Sequence, residues 1–442
     1  MICVLGAGRS GLGAAKLGRK NGEEVWMSDA GSISDEVKKV LYSIGVEFEE
    51  NNHDWEIISR CDLIIKSPGI PDKAEIIIKT KKSGIMVISE IEYAARFTKA
   101  KLIAITGSNG KTTTASLTYD IFHNAGLNVG LVGNIGVSFA ESVATEQRDY
   151  YIIELSSFQL DGIVDFHPHI AIILNITPDH LDRYDYQFDK YRDSKFRIAM
   201  NQNKEDHLIF CADDKGIMDE IENKKIKAQL HPFSLKEIDG MSGYIENKHL
   251  IITTKINTYN MSIYELALQG KHNIYNSMAA GISSRIMELR NNFVRESLSN
   301  FQSIEHRLEF VAKVDGIDFI NDSKATNVNS TWFALESIGG NVVLILGGED
   351  KGNDYSLIED LVTEKVDTII CLGKDNAKLM KFFSGKVKNI AETNNVNDAV
   401  LMAKMSSKPG STVLLSPACA SFDLFKNYEE RGSQFKQAVR SL

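Results

Sequence analysis

The stretch AITGSNGKTTTA, residues 104–115, joins a short apolar run to a pattern typical of an amphipathic helix. Gly110, Lys111 and Thr112 fill the last three places of the phosphate-loop pattern G-x-x-x-x-G-K-[ST], but Ile105 stands where the first glycine is expected. Backbone N–H groups at a strand-to-helix turn point toward an anion, and a lysine there adds positive charge. The stretch alone therefore indicates either an ATP site or a glycine turn that happens to carry a lysine.

Length and composition restrict the protein class. A chain of 442 residues predicts about three domains, and 43% hydrophobic with 25% charged residues is typical of a globular protein. The formal net charge of −9, with no basic run, argues against nucleic acid or an anionic membrane as a partner. Five scattered cysteines without a C-x-x-C pair, no signal-peptide pattern and no membrane-length apolar run predict a cytoplasmic location. We also expect a monomer.

Apolar runs without polar alternation predict buried parallel strands separated by helices, and hence an α/β fold. The runs are MICVL, DLIIKS, KLIAIT, YYIIELS, IAIILNIT, NVVLILGG, DTIICLG and STVLLS. Fresh strand starts near residues 101 and 310 predict three domains, residues 1–93, 94–302 and 303–442. A polar, β-like stretch over about residues 222–260 predicts a peripheral sheet in the middle domain.

The first segment contains a dinucleotide-type fingerprint. Gly6, Gly8 and Gly11 in VLGAGRSGLG have G-x-G-x-x-G spacing after a strand, and Asp29 follows the next strand. Such glycines allow a phosphate to approach the backbone, and the acid can bind a ribose hydroxyl. The alternative is a turn that serves only helix–strand packing. We favour nucleotide binding because the strand and Asp29 accompany the glycines.

Further polar residues follow two strands of the middle segment. Glu154 ends the strand YYIIE, and Asp179 and His180 come soon after IAIILNIT. Parallel sheets bind ligands beyond the carboxyl ends of their strands, so these residues should converge on the phosphate loop. Taken singly, Glu154 could be a helix cap and His180 part of a surface turn. Together with the loop they predict a Mg²⁺–nucleotide site.

The chain resembles the Mur ligases through an ordered set of motifs that spans nearly its whole length. These motifs are TGSNGKTT, ELSSFQL, NITPDHLDRY, KHNIYN, EHRLE, NDSKATN, GGEDKG and LSPACASFDLFKNYEERG. The phosphate loop of that family has the same T-G-x-N-G-K-[ST] form, which resolves the missing glycine in favour of an ATP site. The resemblance implies a Rossmann-like N-terminal domain, a P-loop ATPase-like central domain and a Rossmann-like C-terminal domain.

The motifs ELSSFQL, NDSKATN and SPACASFD resemble those of the family member that adds D-glutamate. The resemblance implies that ATP phosphorylates the carboxylate of UDP-N-acetylmuramoyl-L-alanine and that the amine of D-glutamate then attacks the acyl phosphate. This is a step of peptidoglycan precursor synthesis. It implies Mg²⁺ as a cofactor and small molecules as the only partners.

The resemblance also implies roles for single residues. Lys111 binds the β- and γ-phosphates, and Lys195 in YRDSKFRI is carbamylated by CO₂, although by its own sequence it reads as a solvated lysine beside Asp193. The catalytic positions are Lys111, Glu154, His180 and Lys195. The metal positions are Thr112, Glu154, His180 and Lys195.

Three further sets of ligand positions follow from the same resemblance. The ATP positions are Gly107, Ser108, Asn109, Gly110, Lys111, Thr112, Thr113, Asn273, Asn276, Arg307, Asp322 and Lys324. The UDP-substrate positions are Gly8, Arg9, Ser10, Asp29, Ser67, Pro68, Gly69, Asn134 and His180. The D-glutamate positions are Thr326, Lys351, Ser421, Phe422 and Tyr428.

Three alternative functions stay open at this point. One is another amide ligase of the same superfamily, although the D-N-P-R motif of diaminopimelate-adding relatives is missing and folate ligases lack a G-x-G-x-x-G domain. Another is an NAD-dependent oxidoreductase built on GAGRSG, which leaves Lys111, Glu154 and His180 unexplained. The third is a non-catalytic nucleotide sensor.

Overall fold

A computed structural model describes residues 1–254, 258–301 and 305–442. Contacts divide the chain into two compact units, Met1–Ala267 with Asn273–Phe301, and Leu268–His272 with the chain described from residue 305 onward. The predicted boundary between residues 302 and 303 lies outside the described residues. None of the helices in the described ranges is both long and apolar enough to cross a membrane.

The first sheet is parallel throughout, with strand order β3-β2-β1-β4-β5. Its strands are β1 (Ile2–Leu5), β2 (Val25–Asp29), β3 (Glu47–Glu50), β4 (Leu63–Lys66) and β5 (Met86–Ser89). Its helices are α1 (Arg9–Lys20), α2 (Asp35–Ser43), α3 (Trp55–Ile58), α4 (Glu75–Lys82) and α5 (Glu90–Ala95). The strand order reverses between β1 and β4, where doubly wound sheets bind ligands.

The glycine-rich turn after β1 lies at this reversal. A Cβ atom at Gly11 would stand 1.8 Å from the carbonyl oxygen of Gly6, so α1 approaches the turn too closely for any side chain. A Cβ at Gly6, where φ is +91°, would meet Ser67 Oγ at 2.8 Å. These glycines therefore bring the turns after β1 and β4 into contact.

The second sheet has nine strands in the order β14-β13-β12-β11-β10-β9-β6-β8-β7. Its strands are β6 (Lys101–Thr106), β7 (Val129–Gly133), β8 (Tyr150–Glu154), β9 (Ile170–Ile173), β10 (His207–Cys211), β11 (Gln229–Phe233), β12 (Gly243–Glu246), β13 (His249–Thr253) and β14 (Thr258–Ser262). Its helices are α6 (Lys111–Asn124), α7 (Phe139–Thr145), α8 (Ser157–Leu160), α9 (Phe188–Phe196), α10 (Lys215–Asn223), α11 (Lys271–Ile286) and α12 (Asn291–Asn300).

The polar β-like stretch does not form a sheet of its own. Strand β11 pairs in parallel with β10, and β12, β13 and β14 continue the same sheet as an antiparallel edge. The outermost strand β14 alternates buried and exposed residues, as expected for a strand with one face open to solvent. The central strand β6 is buried from its second residue onward.

The third sheet lies in the second unit, with order β15-β16-β20-β17-β18-β19 and only β15 antiparallel. Its strands are β15 (Glu309–Val314), β16 (Ile317–Asn321), β17 (Val342–Leu346), β18 (Val366–Leu372), β19 (Asn389–Thr393) and β20 (Thr412–Leu415). Its helices are α13 (Val328–Ser337), α14 (Ser356–Lys365), α15 (Ala377–Phe383), α16 (Val396–Met405) and α17 (Tyr428–Arg440). The predicted α/β class with three mainly parallel sheets is confirmed.

Candidate active site

The phosphate loop connects β6 to α6 and is closed by its own lysine. Lys111 Nζ donates to the carbonyl oxygens of Gly107 at 2.7 Å and Ser108 at 2.9 Å. The lysine thus folds back across the loop, while the first N–H groups of α6 lack partners inside the helix. This arrangement can hold a phosphate chain against a helix N-terminus and a cation.

Residues that follow β9 hold the loop in shape. The main-chain N–H of Asn109 donates to Asn175 Oδ1 at 2.8 Å, and Asn175 Nδ2 donates to the carbonyl oxygen of Asn109 at 3.0 Å. Ser108 Oγ donates to the carbonyl oxygen of Thr177 at 2.8 Å and lies 3.0 Å from the Tyr191 hydroxyl. The loop is therefore fixed before any ligand binds.

Gly110 must be glycine because of both its backbone and its neighbour. Its φ is +83°, and a Cβ would stand 2.3 Å from Asn276 Oδ1. That oxygen accepts from Thr114 Oγ1 at 3.2 Å, and Asn276 Nδ2 donates to Asn273 Oδ1 at 3.3 Å. Of the two predicted asparagines of α11, Asn276 thus lies directly against the phosphate loop, and Asn273 accepts a hydrogen bond from it.

Glu154 is the carboxylate beside the loop. It pairs with Ile105 in the register of β6 and β8 and is only 1% exposed. Its Oε1 accepts from Asn134 Nδ2 at 2.9 Å, whereas its Oε2 has no hydrogen-bond partner, and neither does the buried Thr113 Oγ1. Hard oxygen atoms of this kind fit Mg²⁺, which takes one or two carboxylates together with water and substrate phosphates. Across the described ranges, no three His, Cys, Asp or Glu side chains are grouped closely enough to hold a metal by themselves.

Lys195 is not the solvated lysine that its local sequence indicates. The side chain is 1% exposed, Nζ donates to the carbonyl oxygen of Gly107 at 2.9 Å, and it lies 4.6 Å from the centre of the Tyr191 ring. Burial, and secondarily the charge of Lys111, lower the pKa of Lys195 well below its ordinary value. Asp193 pairs instead with Lys224 at 2.7 Å. Two lysines therefore share one carbonyl at the loop.

His180 lies on the more exposed side of this region. Its φ is +51°, its side chain is 47% exposed, and its ring is 5.1 Å from that of Phe158. The guanidinium carbon of Arg183 lies 4.3 Å from the centre of the Phe158 ring. Arg183 also donates to the carbonyl oxygens of Pro68 and Gly69 at 3.2 and 3.3 Å. This arginine, which the sequence analysis missed, ties the turn after β4 to the segment that carries His180.

Most of the predicted UDP-substrate residues lie around the turns after β1, β2 and β4 of the first sheet, whereas Asn134 and His180 follow β7 and β9 of the second sheet. Asp29 Oδ2 accepts from the N–H of Ala7 at 2.7 Å and Oδ1 from that of Gly31 at 2.8 Å, so the carboxylate braces the glycine turn. Arg9 is exposed and donates to the carbonyl oxygen of Gly136 at 2.9 Å. Gly8 is exposed, with nothing within 4 Å of a Cβ placed there. The first turn of α1, which begins at Arg9 and Ser10, is thus open to a ligand.

In the second unit, the predicted nucleotide residues surround the end of β16. Asp322 is buried and accepts from Ser416 Oγ at 2.8 Å, and burial raises its pKa to about 7. The charge of Arg307 opposes that rise, while the Nε of Arg307 is buried without a hydrogen-bond partner. Lys324 Nζ lies 5.4 Å from the centre of the Tyr428 ring.

Four of the predicted D-glutamate residues lie in loops at the carboxyl ends of three strands of the third sheet, and the fifth, Tyr428, begins α17. Lys351 Nζ lies 5.7 Å from the centre of the Phe422 ring, and both side chains are exposed. Ser421 is buried and Thr326 is exposed. An exposed cation beside an aromatic ring suits a small anionic ligand.

Four residues around these sites were given no role from the sequence. Asn175, Tyr191 and Arg183 act through contacts with residues distant along the chain, and Arg431 contacts mostly main-chain atoms. All four lie inside motifs quoted above, Asn175 and Arg183 in NITPDHLDRY, Tyr191 in YRDSKFRI and Arg431 in LSPACASFDLFKNYEERG, but these motifs do not indicate which residue each side chain contacts.

Three family models match most of the chain. They are the MurD N-terminal domain over residues 1–76, the Mur ligase middle domain over residues 105–283, and the Mur ligase, glutamate ligase domain over residues 306–419. The first two cover the glycine turn and the phosphate loop, and the third covers Asp322 and Lys351.

Whole-chain relatives agree with these matches. The UDP-N-acetylmuramoylalanine–D-glutamate ligases of Bacteroides thetaiotaomicron and Christiangramia forsetii are 54% and 52% identical, each over 100% of this chain and 99% of the relative. Among solved structures, a UDP-N-acetylmuramate-alanine ligase from Thermotoga maritima matches with a TM-score of 0.63 at 17% identity, over 100% of this chain and 99% of that chain. A MurF ligase from Thermotoga maritima in complex with ADP matches with a TM-score of 0.60 at 13% identity, over 95% and 96%. Likeness at that level shows the fold, and the full-length relatives with the three domain models show that the chain belongs to the Mur ligase family.

Proposed function

We propose that this protein is an ATP-dependent ligase that joins D-glutamate to UDP-N-acetylmuramoyl-L-alanine, in peptidoglycan precursor synthesis. The observation that carries the proposal is the identity of 50% or more, along the whole chain, with several ligases named for that reaction. The family's dependence on ATP agrees with the Lys111 loop at the end of β6. We also propose that the protein is a monomer in the cytoplasm.

The residues at the phosphate loop suit the first step. The substrate carboxylate attacks the γ-phosphorus of ATP, ADP leaves, and an acyl phosphate results. Negative charge develops on the transferring phosphoryl group, so Lys111 and the N–H groups of α6 stabilise it by position. Thr112, Glu154, His180 and Lys195 are the proposed metal positions, and bound Mg²⁺ would neutralise phosphate charge. Gly107–Thr113, Asn273 and Asn276 are the proposed ATP contacts of the first unit.

Lys195 is proposed to carry a carbamate, as in the family resemblance. Its amine is buried at Gly107 beside Lys111, where a second ammonium group would repel both Lys111 and a metal ion. Addition of CO₂ to the neutral amine, with loss of one proton, replaces the cation by an anion. The carbamate oxygen atoms would then face the metal positions.

The second step needs an amine close to the acyl phosphate. The uncharged amine of D-glutamate attacks the acyl carbon, the amine loses a proton, and inorganic phosphate leaves. Lys351 is proposed to bind one carboxylate as a point charge, with Thr326, Ser421, Phe422 and Tyr428 lining the rest. Arg307, Asp322 and Lys324 are proposed nucleotide contacts of the second unit.

The UDP part of the substrate is assigned to the first sheet. Gly8, Arg9 and Ser10 offer an open helix N-terminus for the diphosphate, which is a favoured anion site. Ser67, Pro68 and Gly69 face the same turn. Asp29 and Asn134 are also proposed contacts, and their present bonds to Ala7 and Glu154 leave lone pairs and donors for a ligand.

Phosphate release measured with single components omitted tests the proposal. Release must require ATP, Mg²⁺, UDP-N-acetylmuramoyl-L-alanine and D-glutamate together, and L-glutamate, meso-diaminopimelate and folate substrates must give none. Release with a different amino acid would reassign the protein within the family. Reduction of NAD without ATP would instead support an oxidoreductase.

A further inference from the structure

Arg431 in the first turn of α17 is a fully buried cation with an unusual set of partners. It is 1% exposed, yet within the described ranges its guanidinium forms no ion pair with a carboxylate. Its Nε donates to Ser323 Oγ at 3.0 Å and its Nη2 to the carbonyl oxygen of Ser323 at 2.8 Å. Its Nη1 donates to the carbonyl oxygen of Cys419 at 3.2 Å and lies 3.5 Å from that of Gly347.

These partners lie in three separate loops. Ser323 follows β16, Gly347 follows β17 and Cys419 follows β20. The order β16-β20-β17 makes the three strands neighbours, so one side chain reaches the carboxyl ends of all three. Each loop continues within four residues to at least one proposed ligand residue: Lys324 and Thr326 in the first, Lys351 in the second, Ser421 and Phe422 in the third.

The second and third loops are also packed tightly against each other. The N–H of Glu349 donates to the carbonyl oxygen of Ala420 at 2.9 Å. A Cβ at Gly348 would stand 2.2 Å from that same oxygen and 3.2 Å from Arg431 Nη1. A displacement of the guanidinium therefore transmits directly to both loops.

Stability alone does not account for an arginine at this position. Desolvating a guanidinium is costly, and well-packed apolar side chains often replace buried ions without loss of stability. What an apolar side chain lacks is a rigid, planar fork of five donors, which fixes several acceptors at set angles. Burial lowers the pKa of Arg431 to about 10, so the group stays charged at neutral pH.

We propose that Arg431 is a positioning residue for the amino-acid substrate. It holds the three loops that carry Lys351 and Ser421, the cation and the hydroxyl group proposed to bind the carboxylates of a dicarboxylic amino acid. The inference rests on the proposed function and adds to it a residue that does not itself touch the substrate.

The test compares Arg431→Lys and Arg431→Met with Arg440→Met, an exposed arginine at the end of the same helix. In the full-length protein, phosphate release gives KM separately for D-glutamate and for the UDP substrate. We expect R431M to raise the KM for D-glutamate at least tenfold, R431K to raise it less, and both to leave the KM for the UDP substrate within twofold. R440M should match the wild type. Equal changes in both KM values, or no change in either, would overturn the proposal.

A third variant covers the case in which R431M does not fold. Ser323→Ala removes the hydroxyl partner of Nε, together with the 2.8 Å hydrogen bond that this hydroxyl donates to the carbonyl oxygen of Tyr428. It should raise the KM for D-glutamate about threefold while the melting temperature stays near that of the wild type. An unchanged KM in both S323A and R431K would refute the positioning role. A failure of the proposed function can be told apart from a failure of the positioning role, because in the first case the wild type itself would release no phosphate with D-glutamate.

Discussion

At the residue scale, the most informative side chain is Lys195, because the local sequence and the structure give opposite descriptions of it. Helix α9 has charged residues on several faces, which indicates a solvated helix, but residues from β6 and its loop enclose this one amine. Such burial depends on contacts 88 positions apart, which no local pattern encodes. The family motif, rather than periodicity, identified Lys195.

We expect Lys195→Ala to lower phosphate release at least a hundredfold and excess acetate to restore part of it. The proposed carbamate supplies a negative oxygen group, and acetate can occupy the space that the lysine leaves. Steady-state phosphate release with and without acetate, for wild type and variant, measures this. Lys190→Ala, at an exposed position of the same helix, serves as the matched control. Its rate of phosphate release should equal that of the wild type, with and without acetate. An active K195A would contradict the carbamate assignment.

Residues at strand ends or in motifs could be proposed as contacts from the sequence, whereas the partners of the residues that orient them could not. Lys111, Glu154 and Asn276 each stand at a strand end or in a motif, so their chemistry could be read from their positions. Arg183 and Arg431 bind carbonyl oxygens, which every residue possesses, so the sequence holds no sign of the partner. Asn134 was predicted as a UDP-substrate contact, and it also donates to Glu154, a hydrogen bond that depends on the register of β7 and β8.

At the element scale, the junction of α5 and α7 contains a buried acid. Glu90, the first residue of α5, accepts through Oε1 from the N–H of Ala140 in α7, whereas its Oε2 is buried without a partner. Burial raises the pKa of Glu90 to about 7. Because the folded pKa is above the unfolded one, the protonated form contributes stability below about pH 4.5 that is lost as the pH rises through 7.

Glu90→Gln should remove this part of the pH dependence. At pH 8 we expect the variant to exceed the wild type in free energy of unfolding by about 1–3 kcal/mol, and at pH 5 to gain much less. Urea denaturation from pH 5 to 8 measures the difference in free energy of unfolding between variant and wild type. Asp322 also has a raised pKa, but its contribution cancels in this difference because both proteins contain it. Glu36→Gln, at an exposed position in the first turn of α2, is the control. A difference that does not vary with pH would contradict the assignment.

Strands were easier to predict than the edges of sheets. All eight apolar runs are strands, since a continuous run of branched residues suits burial on both faces. The stretch over about residues 222–260 was expected to form a peripheral sheet, but its described strands extend the second sheet, in which β12 pairs with β11 at a single register position. Pairing of that kind leaves no recognisable pattern.

At the scale of the whole molecule, the diphosphate of the UDP substrate is assigned to the first sheet and the phosphate chain of ATP to the second. The turn after β1 and the loop after β6 have separate hydrogen-bond networks, centred on Asp29 and Asn175. Removal of the charge at Lys111 should therefore leave the first sheet unaltered. The two binding events can be measured independently.

We expect Lys111→Ala to abolish phosphate release, at least a hundredfold, while the dissociation constant for UDP-N-acetylmuramoyl-L-alanine stays within about twofold. Isothermal calorimetry for the UDP substrate and phosphate release for turnover measure the two effects. Lys16→Ala, at the α1–α7 contact where Lys16 pairs with Glu141, is a control that should retain turnover. Near-normal turnover in K111A would contradict the role of the loop.

The burial of Lys195 has a consequence for how the active protein is assembled. If the amine must capture CO₂ before the site is complete, the final chemical component of the enzyme is a dissolved gas rather than an encoded residue. Preparations that have been acidified and degassed would then start slowly and accelerate as bicarbonate equilibrates, although every polypeptide is folded. The specific activity of a preparation would then depend on how much CO₂ its buffer had held, as well as on the quantity of protein.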